Sequence, residues 1–200
     1  MKKQAGFTLI ELVIVVIILG LLAATALPRF LNITEQAEEA AVEGIAGGFA
    51  SAVGLVRAQW EVAGRPVDNL GANVTSVTVD GAVVGINVEG TIRGYPTGEA
   101  VTNTNVSAMS ADRCLQTLNL ILQNPPSAST TFATSNTLFV RYEAPDCFYH
   151  QTTGLGSAPT NISASNGFSY NPASGQISIF LNKPESPRGF TCRNNKVLHW

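Results

Sequence analysis

A run of 21 residues, FTLIELVIVVIILGLLAATAL (Phe7–Leu27), holds only four that are not apolar: Thr8, Glu11, Gly20 and Thr25. Nothing else in the chain constrains its fold so strongly. As a helix rising 1.5 Å per residue the run spans about 32 Å, enough to cross the hydrocarbon core of a bilayer. Lys2 and Lys3 precede it, so the positive-inside rule keeps the N-terminus cytoplasmic and sends the rest of the chain across the membrane. A secretory signal would have a shorter apolar region closing on a small-residue cleavage site. Ala23-Ala24-Thr25-Ala26 imitates such a site, but the run is too long, carries a charge, and continues without a break into further helix. Glu11 is the anomaly, because an ionised carboxylate in lipid costs several kcal/mol and marks either a partner or a function. The bland alternative is a carboxyl that stays protonated or reaches for the headgroups.

Downstream, Phe30, Ile33, Ala37, Ala41, Ile45, Phe49, Val53, Val56 and Trp60 recur every three or four residues and paint one helix face. Pro28 is expected to kink the helix, since it lacks an N–H and its ring crowds the preceding turn. Gly64-Arg65-Pro66 should end it. The implied helix, Phe7 to Ala63, is about 85 Å long. No compact domain of this size buries so much helix, so its first half is expected to project. Gly44, Gly47, Gly48 and Gly54 are odd in a helix interior, where each costs roughly 1 kcal/mol against Ala. Close backbone packing against them is one explanation and simple tolerance the other.

After Pro66 the texture becomes that of short strands and turns. Residues 74–79 and 82–88 flank Asp80-Gly81, a strong hairpin signal. Residues 89–109 read as a surface connection with a short strand at Thr91–Arg93. Leu115, Leu118, Ile121 and Leu122 form a helical stripe stopped by Asn124-Pro125-Pro126. Residues 137–144, 147–150 and 175–181 read as strands. The fold class is therefore α+β: a long helix with an antiparallel sheet laid on its C-terminal half.

The chemistry-bearing patterns are sparse. The net charge is −2, and the twelve Lys and Arg are scattered, which excludes a nucleic-acid surface. There is no Gly-x-Ser-x-Gly, Walker loop or His-Glu-x-x-His, so the chain reads as a non-enzyme without cofactor or metal. His150 and His199 read as structural or solvated, and Phe190 and Trp200 as packing residues. Cys114, Cys147 and Cys192 lack zinc or redox spacing. Beyond an oxidising membrane face, one disulfide and one leftover thiol are expected, with all three pairings open.

The segment MKKQAG followed by FTLIE, an apolar run and Pro28 resembles the class III signal of type IV prepilins. The resemblance implies a leader of residues 1–6, cleaved after Gly6 by a prepilin peptidase that also N-methylates Phe7. It further implies a transmembrane and filament-core helix at 7–29, its amphipathic continuation at 30–64, and a periplasmic or extracellular head at 65–200. Glu11 would then pair with the new α-amine of Phe7 on a neighbouring subunit. Two costly isolated charges become one hydrogen-bonded pair that also sets register. The fold implied is that of type IV pilins.

DRCLQTLNLILQNPP, DCFYHQ and YNPASGQISI resemble pilins of the mannose-sensitive haemagglutinin type. That likeness favours a Cys114–Cys147 disulfide, worth roughly 3 to 4 kcal/mol from its loop length, over the Cys147–Cys192 bridge of many other type IV pilins. By resemblance the chain is a structural subunit held in the inner membrane as prepilin. An assembly platform then extracts it into a homo-oligomeric helical filament outside the cell, for attachment to surfaces or glycans, adhesion and biofilm formation. Type II secretion pseudopilins share the N-terminal motif, so a pseudopilin or minor pilin is the alternative. A membrane-anchored periplasmic binding domain or enzyme is the third.

Overall fold

Helix α1 runs from Leu9 to Val62, and both of its ends have local chemical causes. The computed structural model describes residues 8–182, except the side chains of 28, 31 and 32, and the backbone of 196–198. Gly6, Phe7, Phe190, Cys192, His199 and Trp200, all singled out above, lie outside the described residues. The backbone stays helical through Pro28. At the far end Gly64 takes φ 83°, its N–H donates to Glu61 O at 3.1 Å, and the Arg65 N–H reaches back to Trp60 O at 3.0 Å. This is the Schellman arrangement, in which a left-handed glycine turns the chain out of the helix. Pro66 then forbids continuation, and its carbonyl accepts the Trp60 indole N–H at 2.9 Å.

The chain divides into two compact units, Met1–Ala40 and Ala41–Trp200. In the second, the strands are β1 (Ser76–Val79), β2 (Ala82–Asn87), β3 (Tyr95–Glu99), β4 (Ala128–Ser129), β5 (Leu138–Glu143), β6 (Asp146–Gln151), β7 (Asn166–Tyr170), β8 (Ile177–Leu181) and β9 (Lys196–Leu198), with helix α2 at Ala111–Ile121. They form a three-stranded sheet, β1-β2-β3, and a six-stranded sheet in the order β4 to β9. All pairings are antiparallel except the short parallel pair of β4 with β5. The fold is thus the expected α+β arrangement of a long N-terminal helix followed by antiparallel sheet. The Asp80-Gly81 hairpin forms with both residues at positive φ, 49° and 82°, as a type I′ turn requires.

Burial on α1 begins later than its periodicity suggests. Phe30, Ile33, Ala37 and Ala41 are exposed, and the buried stripe is Val42, Ala46, Phe49, Ala50, Val53, Val56 and Trp60. Apolar spacing marks a face, but only a neighbour within the chain removes it from water. In the larger core Phe49 is the hub: its ring lies 5.5 Å from Tyr149, 5.4 Å from Phe168 and 5.2 Å from Tyr170. Both buried phenols find acceptors, Tyr149 on Cys114 O at 2.8 Å and Tyr170 on Pro96 O at 2.9 Å, so neither polar tip is stranded. Val56 and Trp60 pack under the small sheet with Val77, Val84 and Ile86.

Thr91–Arg93 is not a strand; the third strand is Tyr95–Glu99, starting four residues on from that expectation. Pro96 disguises it, yet β3 is an edge strand, where a missing N–H is tolerated. Helix α2 starts at the Ser110 cap, whose hydroxyl accepts from the Arg113 N–H at 3.3 Å. Cys114 of α2 and Cys147 of β6 are joined by a disulfide, with Cα atoms 5.6 Å apart.

Candidate assembly site

The start of α1 carries a polar arrangement built on Thr8 and Glu11. The Thr8 N–H donates to Glu11 Oε2 at 2.9 Å and the Thr8 hydroxyl to the same oxygen at 2.7 Å. The Glu11 N–H donates back to Thr8 Oγ1 at 3.4 Å. Together these make a reciprocal capping box, satisfying orphan donors of the first turn. Among the described residues Glu11 Oε1 takes no bond, so one carboxylate oxygen remains for a further donor. The sequence carries the signal openly, since Thr8-Leu9-Ile10-Glu11 is a Thr-x-x-Glu before an apolar run. Reading Glu11 only as a charge awaiting a distant partner overlooks the neighbour three residues away.

Beyond the cap, Leu9–Leu27 is long and apolar enough to cross a membrane. Its large side chains are exposed throughout, from 82% at Leu9 down to 42% at Val13. At about 25 cal/mol per Å² of apolar surface, so many exposed Leu, Ile and Val side chains are untenable in water. The segment requires lipid or other apolar surface around it.

The sequence of these residues decides the comparison with known proteins. Residues 1–27 match the prokaryotic N-terminal methylation motif. Resemblance to type IV pilins extends further. The chain is 48% identical over 57 residues to the type IV narrow pilus major component PilA5 of Thermus thermophilus, covering 28% of this chain and 49% of that one. It is 41% identical over 91 residues to the type IV major pilin protein PilE1 of Neisseria gonorrhoeae, covering 40% and 51%. It is 38% identical over 56 residues to the type II secretion system core protein G of Pseudomonas aeruginosa, covering 28% and 39%. The chain spans about half the length of the curated pilins it matches. No solved structure matches it.

The head offers a second place to look for chemistry. His150 is fully buried, and its Nδ1 lies 2.7 Å from Ser165 Oγ, a spacing that suggests a nucleophile and its base. Its partners refute that reading. The Arg141 Nε–H donates to His150 Nε2 at 2.9 Å, so Nε2 is the acceptor and the single imidazole proton sits on Nδ1, donated to Ser165. A base already protonated toward its serine cannot activate it, and Ser165 is itself only 1% exposed. Among the described residues no group of three His, Cys, Asp or Glu is placed to hold a metal. Two open clefts of about 400 and 350 Å³ flank α1, lined by Gly48, Leu55, Leu120 and Leu122 in one and by Ala41, Gly44 and Ile45 in the other. They are largely apolar and gather no reactive groups.

Proposed function

We propose that this chain is the structural subunit of a type IV pilus, made as a membrane-held precursor and polymerised with copies of itself. The carrying observation is the N-terminal methylation motif on a helix whose large apolar side chains are exposed and whose carboxylate, among the described residues, keeps one oxygen open. The leader ends at Gly6; cleavage frees the Phe7 amine for methylation by the peptidase. In the filament the Phe7 ammonium of one subunit meets Glu11 of the next. The Thr8 cap orients that carboxylate beforehand, so pairing needs little rearrangement and a staggered neighbour leaves two charges unpaired in an apolar layer. Pro28 kinks the helix where the apolar run ends. The inner membrane holds the precursor with its head in the periplasm, and an assembly platform supplies the extraction work.

The likeness of the head to the mannose-sensitive haemagglutinin type supports surface attachment and biofilm formation, with glycans as candidate ligands. The similarity to a type II secretion core protein supports a pseudopilin as the second reading. Shearing cells and sequencing the N-terminus of the released protein tests the first. A methylated Phe7 in the dominant sheared band is expected. An unprocessed chain retained in the membrane, or a processed one absent from sheared filaments, would overturn it.

A further inference from the structure

The outer face of the six-stranded sheet carries a polar chain distinct from the Thr8–Glu11 site. Arg141 on β5 donates through Nε to His150 on β6 at 2.9 Å, and His150 Nδ1 stands 2.7 Å from Ser165. Ser165 ends the short 3₁₀ turn Ile162–Ala164 that packs on β7 and β8. A second arm of the guanidinium binds Glu143 Oε2 at 2.6 Å, and its Cζ lies 4.4 Å from the centroid of the Phe148 ring. Phe148, Phe180 and Phe139 surround the imidazole at centroid distances of 6.1, 5.3 and 6.4 Å. Opposite His150 on β7 is Gly167, where an added Cβ would meet Tyr149 O at 2.2 Å and the Phe180 ring at 2.7 Å. The aromatic cover thus closes down on bare backbone beside the histidine.

We propose that Arg141, His150 and Ser165 form an acid-sensitive latch, closed only while the imidazole is neutral, that fastens the 161–165 turn to the β5–β6 pair. Guanidinium has no acceptor, so the Arg141 contact demands a lone pair on Nε2. A proton arriving from solvent occupies that lone pair, abolishes the Arg141 bond and sets two cations 2.9 Å apart without water between them. Among the described residues, the charged groups facing the imidazole are Arg141 and, behind it, Glu143, both from β5. β7 presents Gly167, β8 Phe180 and the turn Ser165, none of which titrates in this range.

Burial, and secondarily the Arg141 charge, hold the imidazole down to about 3 from its ordinary value. The sign follows by linkage. The open latch binds a proton at an ordinary pKa near 6.5 and the closed one does not, so closure is complete above that value and is lost tenfold per unit as pH falls towards about 3. From pH 7 to pH 4 opening should rise roughly a hundredfold. The device is independent of whether the chain serves a pilus or a secretion pseudopilus.

Hydrogen exchange of the full chain in detergent micelles, compared at pH 7 and pH 4 after correction for intrinsic rates, tests it. Residues 138–151 and 161–167 should open about a hundredfold more at pH 4, while α2 and β1–β3 change far less. His150→Gln, which keeps an acceptor and a donor but cannot titrate, should abolish the local acid response. An equal response in that variant, or one spread evenly over the head, overturns the latch. Should the variant not fold, the ¹⁵N shifts of the wild-type imidazole decide: a neutral ring protonated at Nδ1 at pH 7 is expected, and an Nε2–H tautomer or an imidazolium overturns it.

Discussion

Glu11 shows how one residue serves two purposes. Its carboxylate closes a capping box with Thr8 through Oε2, which satisfies orphan N–H donors at the helix start. The same cap fixes the direction of the oxygen proposed to meet the Phe7 amine of a neighbour. Glu11→Ala should still insert and be cleaved after Gly6, because neither step uses the carboxylate, yet lose methylation or filament growth. Membrane fractionation with mass analysis of the N-terminal peptide checks the first part and the yield of sheared filament the second. Normal assembly of the variant would dismiss the pairing. His150 teaches the converse lesson, since residue type and spacing alone invite a catalytic reading that the direction of one Arg141 bond removes.

Helix α1 resolves part of the question raised by its glycines. An added Cβ at Gly44, Gly47, Gly48 or Gly54 would meet nothing within 4 Å, so no close approach among the described residues requires them. Gly48→Ala should therefore stabilise the isolated subunit by about 1 kcal/mol, seen as a melting temperature higher by about 2 to 4 °C. A fall in melting temperature would mean that the helix needs the glycine after all. The strands divide by how plainly they announce themselves. β1 and β2 are legible from alternation about Asp80-Gly81, whereas β3 carries Pro96 and β4 is two residues long. Such strands exist because a neighbouring edge is available to pair with, which local sequence does not record.

At the scale of the molecule, the Cys114–Cys147 bridge joins α2 to the middle of the large sheet across 33 positions. Replacing both cysteines with serine should lower the head's unfolding free energy by about 3 to 4 kcal/mol, read as an earlier denaturant midpoint in the oxidised protein. An unchanged midpoint would show that the loop is already constrained by the core. The N-terminal leader pattern, the apolar run, the helix stop at Gly64 and the α+β class are properties of local composition and spacing, and the sequence determined them unaided. Tertiary structure decided which helix residues are core, beginning at Val42 and not at Phe30. It also decided that β3 lies at an edge and that His150 is locked in one tautomer. The physical reason is the same in each case. Periodicity states what a segment could bury or donate, whereas burial, pairing and protonation are settled only by the atoms that the fold brings opposite it.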